Sequence, residues 1–114
     1  MRRVRCQIEG GIADVRLSRP DKSNALDGEM FDALIDAGRT LMSTTGLRAV
    51  VISGEGAGFC AGIDMAVLSD MKNGAIDGIA DLVSRTHGDC NRFQYAAWVW
   101  RELPVPVIAA VHGV

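Results

Sequence analysis

No charge of either sign dominates this sequence. Twelve Lys and Arg residues face fourteen Asp and Glu, a net charge of −2. That balance excludes a general electrostatic attraction to nucleic acid or to an anionic membrane. Long apolar runs are missing too. The longest, Val105–Val111, is far short of the roughly 20 residues a membrane helix needs, and no apolar segment follows Arg2, Arg3 and Arg5 as a secretory signal would require. Cysteine is sparse and unpatterned, at positions 6, 60 and 90 with no CxxC. Reduced thiols in a cytoplasmic protein are therefore expected, not a disulfide framework or a zinc site. Neither His87 nor His112 has a second ligand at metal-binding spacing, so no metal and no separate cofactor are expected.

What is present is core material. Apolar residues make up 48% of the 114 residues and mean hydropathy is +0.15, enough for one compact domain. Val4–Ile8 and Ile12–Leu17 alternate around Gly10-Gly11, which predicts a β-hairpin over 3–18. The three N-terminal arginines alternate as a solvated strand face would, with a basic patch as the other reading. Asp27 is placed as an N-cap, and Met30, Phe31, Leu34, Ile35, Leu41 and Met42 recur at helical spacing, predicting a helix over 28–44. Leu47–Ser53 reads as a buried parallel strand over 47–53. A Gly-rich loop over 54–65 follows, then a short helix over 64–70 capped by Asp64. Ile76, Ile79, Ala80, Val83, His87, Cys90, Ala97, Trp100 and Leu103 predict one long helix over 76–103, ended by Pro104 and Pro106. A last buried strand is expected over 107–111. The order ββαβ, loop, αα, β defines an α/β chain without repeat or linker, and it reads as part of a longer polypeptide.

The loop carries the most chemistry. Glycines admit a ligand close to the backbone. A helix starting at Asp64 leaves N–H groups directed outward with partial positive charge, suited to an oxyanion or a phosphate. Gly56-Ala57-Gly58-Phe59-Cys60-Ala61 also matches the dinucleotide pattern after a strand. That reading needs an acid at a second strand end, and Asp77 and Asp81 fall in loop and helix. Taken alone, the loop could equally be a plain chain reversal. Cys60 has no basic partner near it in sequence and reads as a small buried thiol. Trp98 and Trp100 read as packing residues, in the core or against a neighbouring subunit.

Arg19-Pro20-Asp21-Lys22-Ser23-Asn24-Ala25-Leu26, Arg48-Ala49-Val50-Val51-Ile52-Ser53-Gly54, Phe59-Cys60-Ala61-Gly62-Ile63-Asp64-Met65 and Pro106-Val107-Ile108-Ala109-Ala110-Val111-His112-Gly113 together resemble the crotonase family of enoyl-CoA hydratases and isomerases. The resemblance covers essentially the whole chain in order. The Ala-Gly-Ile-Asp form is similar to the dienoyl-CoA isomerase-like branch. It implies the N-terminal portion of a crotonase-type ββα superhelix and an acyl-CoA thioester as substrate, with CoA arriving as part of it. The backbone N–H of Ile63 would be the first of two oxyanion donors. Lys22, Ser23, Ala25, Ala61, Gly62, Ile63 and Asp64 would line the CoA pocket, with Lys22 either reaching a CoA phosphate or simply solvated. Met65 and Leu68 would face the acyl tunnel, or else be plain core residues.

In this family the second donor is a glycine just after the Ala-Ala-Val-His-Gly strand, and the acids that move protons lie further on. None is present here, and Asp27, Glu29, Asp64, Asp70 and Glu102 match no catalytic acid. The chain alone is therefore expected to be inactive. The resemblance also implies a homo-oligomer, a trimer or a dimer of trimers. The competing reading is a non-catalytic remnant that binds CoA weakly or associates with a full-length partner.

Overall fold

The computed structural model describes residues 2–72 and 84–113. Among them, four strands form one open sheet in the order β1-β2-β3-β4. β1 (Val4–Glu9) and β2 (Ile12–Leu17) pair antiparallel. Gly10 and Gly11 both carry positive φ, 60° and 83°, the combination that lets a two-residue turn follow the strand twist. β2 then pairs parallel with β3 (Ala49–Gly54), and β3 with β4 (Val107–Ala109).

The connection between β2 and β3 is α1 (Gly28–Met42). Asp27 starts it: its carboxylate accepts from the Met30 N–H at 2.9 Å. Helical spacing then turns Met30, Phe31, Leu34, Ile35 and Leu41 inward. They meet Ala13, Val15 and Leu17 of β2 and Val50 and Ile52 of β3 in a single core. Each large side chain withdrawn from water contributes about 1.5–3 kcal/mol. α3 (Arg92–Glu102) crosses α1 closely. A Cβ on Gly38 would stand 2.6 Å from Val99 Cγ2, and the Phe31 and Phe93 rings meet edge to face at 4.8 Å.

The long helix expected over 76–103 is not formed as such. Its first part, 76–83 with Ile76, Ile79, Ala80 and Val83, lies outside the described residues. From residue 84 to 90 the chain is not helical. His87 and Cys90 exchange backbone hydrogen bonds of 2.8 and 3.1 Å across Gly88 (φ 66°), which closes a tight turn. Asn91 then opens a new helix with a capping box: it accepts from the Gln94 N–H at 2.9 Å, and Gln94 Oε1 accepts from the Asn91 N–H at 3.0 Å. Apolar periodicity ran on through the turn, but the Gly88 reversal and this cap decide the boundary. α3 stops at Glu102 because Leu103, extended ahead of Pro104, cannot continue the helix.

Other boundaries move slightly. α2 is Met65–Lys72, β3 runs to Gly54, and β4 ends at Ala109, with Ala110 adding one bond of 2.8 Å to Ile52 O. The strand expected to be buried over 107–111 is an exposed edge instead: Ile108 and Val111 are 56% and 68% exposed. Among the N-terminal arginines, Arg2 and Arg5 are exposed as a solvated strand face is, while Arg3 is drawn partly inward. Arg3 holds Asp27 at 2.8 Å and Arg5 lies 3.5 Å from Glu55.

Candidate functional site

Two segments run side by side at the C-terminal end of β2 and β3. The Ala61 N–H donates to Ser23 O at 2.9 Å, the Leu26 N–H to Gly62 O at 2.7 Å, and the Asp64 N–H to Leu26 O at 3.0 Å. Leu26 and Ile63 thereby form an isolated parallel bridge. In such a bridge the residue facing Leu26 turns its own N–H and C=O the other way. The Ile63 N–H therefore points away from Leu26, and no described residue accepts from it. Gly62 makes the approach possible with φ 96°, and the space where its Cβ would stand is open.

The scaffold beneath is built on Asn24, whose side chain is wholly buried. Its amide donates to Glu55 O and Gly58 O at 3.0 Å and to Phe59 O at 3.1 Å, while its Oδ1 accepts from the Arg19 N–H at 2.8 Å. Asn24 O also accepts the Cys60 thiol at 3.3 Å. The Gly-rich loop thus wraps one side chain and turns three carbonyls onto it. A dinucleotide loop does the reverse, offering N–H groups to phosphate, and here the Phe59 N–H is spent on His112 O at 2.8 Å. The Cys60 thiol is a donor to backbone, as suits a structural thiol.

Asp64 is tied on both oxygens. Oδ1 accepts from the Ala66 N–H at 2.8 Å, capping α2, and Oδ2 pairs with Arg19 Nη1 at 2.7 Å. The Arg19 hydrogen bond first, then the Ala66 N–H, hold its carboxyl below the usual carboxylate range. The same Arg19 nitrogen donates to Ala25 O at 3.0 Å, and Nη2 lies 3.6 Å from Asp27. Burial would raise Asp27, but the bonds from Arg3 and the Met30 N–H, with the Arg19 charge, outweigh it and lower its pKa. The expected outward N–H groups at the start of α2 are therefore partly consumed by the cap. The Ile63 N–H, before the helix, is not drawn into that cap.

The structure brings Ser23 and Ala25 against Ala61, Gly62, Ile63 and Asp64, with Lys22 exposed at the rim. Ile63 is 40% exposed, whereas Ala25 and Asp64 are buried with their side chains turned inward. Met65 and Leu68 are 80% and 43% exposed, so they are not core residues. An apolar cavity of about 240 Å³ adjoins Leu26 and Cys60 and is lined also by Phe59, Phe93, Ala97 and Trp100; neither Met65 nor Leu68 borders it. Trp100 donates its Nε1–H to Ala96 O at 2.9 Å, while Trp98 is 46% exposed with Arg101 over its ring.

The comparisons with known proteins fall on this geometry. The family model described as enoyl-CoA hydratase/isomerase matches residues 7–114. The chain belongs to the enoyl-CoA hydratase/isomerase family. The rat mitochondrial Delta(3,5)-Delta(2,4)-dienoyl-CoA isomerase is 34% identical over 103 residues, covering 90% of this chain and 32% of the relative. The human protein of the same name is 36% identical, covering 90% of this chain and 31% of its own length. The crystal structure of an enoyl-CoA hydratase from a Polaromonas species superposes with a TM-score of 0.77 at 32% identity, covering 96% of this chain and 40% of that one. The chain thus spans about a third of the curated relatives it matches. The four-stranded open sheet with its helices accords with an incomplete crotonase ββα superhelix.

These relatives overturn the cytoplasmic expectation. The rat and human isomerases are named as mitochondrial. Three scattered cysteines carry no signal that separates one compartment from another. Among the described residues no group of three or more His, Cys, Asp or Glu could hold a metal ion, and no helix is long and apolar enough to cross a membrane.

Proposed function

We propose that the protein carrying these residues acts on acyl-CoA thioesters as a crotonase-type hydratase or isomerase. The Ile63 N–H would supply one of the two donors to the thioester oxygen as enolate charge develops there. The observation that carries this reading is the Leu26–Ile63 bridge, which turns an unshared N–H outward from a loop fixed on both sides. A fixed donor costs no reorganisation when charge appears, and one such donor contributes about 3–4 kcal/mol to the transition state. The second donor and the acid–base groups are assigned to residues outside these 114, since no carboxylate among the described residues fits the role. Asp64 in particular is spent on Arg19 and the α2 cap.

Lys22, Ser23 and Ala25 with Ala61, Gly62 and Asp64 form the wall along which CoA would lie, the Lys22 ammonium being free to meet a phosphate. The relatives named as dienoyl-CoA isomerases favour isomerisation over hydration. The acyl chain is assigned to the side of the loop bearing Met65 and Leu68, whose exposure suits a ligand face. Assembly as a trimer or a dimer of trimers belongs to the same proposal.

Calorimetric titration with acetyl-CoA and with free CoA tests it. The thioester is expected to bind more tightly than CoA. Equal affinities, or no binding of either, would contradict the reading.

A further inference from the structure

An oxyanion donor followed directly by an aspartate is an electrostatic conflict. Asp64 is the next residue after Ile63, and its carboxylate is 12% exposed. A negative carboxylate beside the donor opposes the negative charge that the donor is meant to stabilise. The Arg19 guanidinium answers that conflict. It is itself 13% exposed, pairs with Asp64 Oδ2 at 2.7 Å, and with the same nitrogen holds Ala25 O at 3.0 Å. It therefore ties the segment ending at Leu26 to the segment ending at Asp64, the two that meet in the Leu26–Ile63 bridge.

We propose that Arg19 is a positioning residue for the oxyanion site, cancelling the Asp64 charge and fixing the bridge that aims the Ile63 N–H. The inference rests on the reading of Ile63 as donor, yet it has a consequence in the ligand-free protein. Arg19 touches no substrate in this account. Its second carboxylate neighbour, Asp27 at 3.6 Å, already has Arg3 at 2.8 Å, so the partner left uncompensated without Arg19 is Asp64.

The test uses Arg19→Gln, Arg19→Lys and the double variant Arg19→Gln with Asp64→Asn, in which Asn retains the capping oxygen. Without ligand, amide exchange at Leu26 and Asp64 is expected to quicken about ten-fold in Arg19→Gln, while Val50 in the sheet is unchanged. Arg19→Lys, with one donor point instead of a fork, should recover only part of this protection. With ligand, Arg19→Gln should lose the preference for acetyl-CoA over CoA, and the double variant should regain part of it. Unchanged exchange at Leu26 and Asp64 would overturn the proposal, as would a double variant no better than Arg19→Gln. Wild-type protein that shows no thioester preference would instead overturn the reading of Ile63, leaving the exchange result to judge Arg19.

Discussion

The amide of Asn24 serves Glu55, Gly58 and Phe59 at once, at 3.0, 3.0 and 3.1 Å. One buried side chain therefore sets the path of the whole loop between β3 and the Leu26–Ile63 bridge. Asn24→Ala leaves those carbonyls facing a void, and each lost buried bond costs about 1–2 kcal/mol. Urea denaturation is expected to show a loss of about 3 kcal/mol. Asn24→Asp should be at least as damaging, because it sets a carboxylate against carbonyls.

Gly38 lies where α1 meets Val99 of α3. Alanine is the better helix former by about 1 kcal/mol, yet its Cβ would stand 2.6 Å from Val99 Cγ2. Overpacking costs about 1–3 kcal/mol, so Gly38→Ala is expected to lower Tm. Adding Val99→Ala should recover part of the loss if the contact is the cause, and thermal unfolding of the pair measures it.

Asp27 and Asp64 both have carboxyl groups held below their ordinary values by arginine and backbone N–H partners. A depressed folded-state pKa gives stability that is present above the unfolded value, about 3.9, and lost as pH falls through the folded values. Stability is thus expected to hold from neutral pH down toward that region and to fall below it. In Asp64→Asn the acid loss should be smaller, as pH-dependent denaturant midpoints would reveal.

Asn91 starts α3 through its capping box with Gln94. Asn91→Ala is expected to cost about 1 kcal/mol. Exchange at the Gln94 amide should quicken while that at Val50 stays unchanged, which would locate the damage at the helix start.

The hairpin and α1 were readable because period-2 and period-3.6 patterns, the Gly-Gly turn and the Asp27 cap are local signals. The split of the long helix was less readable: Ile76 to Leu103 keeps an apolar rhythm across Gly88, and only Asn91-x-x-Gln94 marks the new start. At β4 the apolar run reports how a strand can pack, not whether anything covers it, and Ile108 stands exposed. At the site, the resemblance led to Ile63 and its neighbours. Asn24 and Arg19 were quoted within a motif but given no role, since their bonds reach residues more than thirty positions away, such as Glu55 and Asp64. The Phe59, Phe93 and Trp100 cavity depends likewise on α3 folding back over the loop.

The central claim concerns a single N–H, and an amide-to-ester replacement at position 63 tests it most directly. Incorporating the α-hydroxy analogue of isoleucine removes that N–H and keeps the side chain, although Gly62 O becomes a weaker acceptor for Leu26. Affinities for acetyl-CoA and CoA are then compared with those of the unmodified protein. The account predicts that acetyl-CoA loses about ten-fold or more in affinity while CoA is little changed. An unaltered ratio of the two affinities would contradict it.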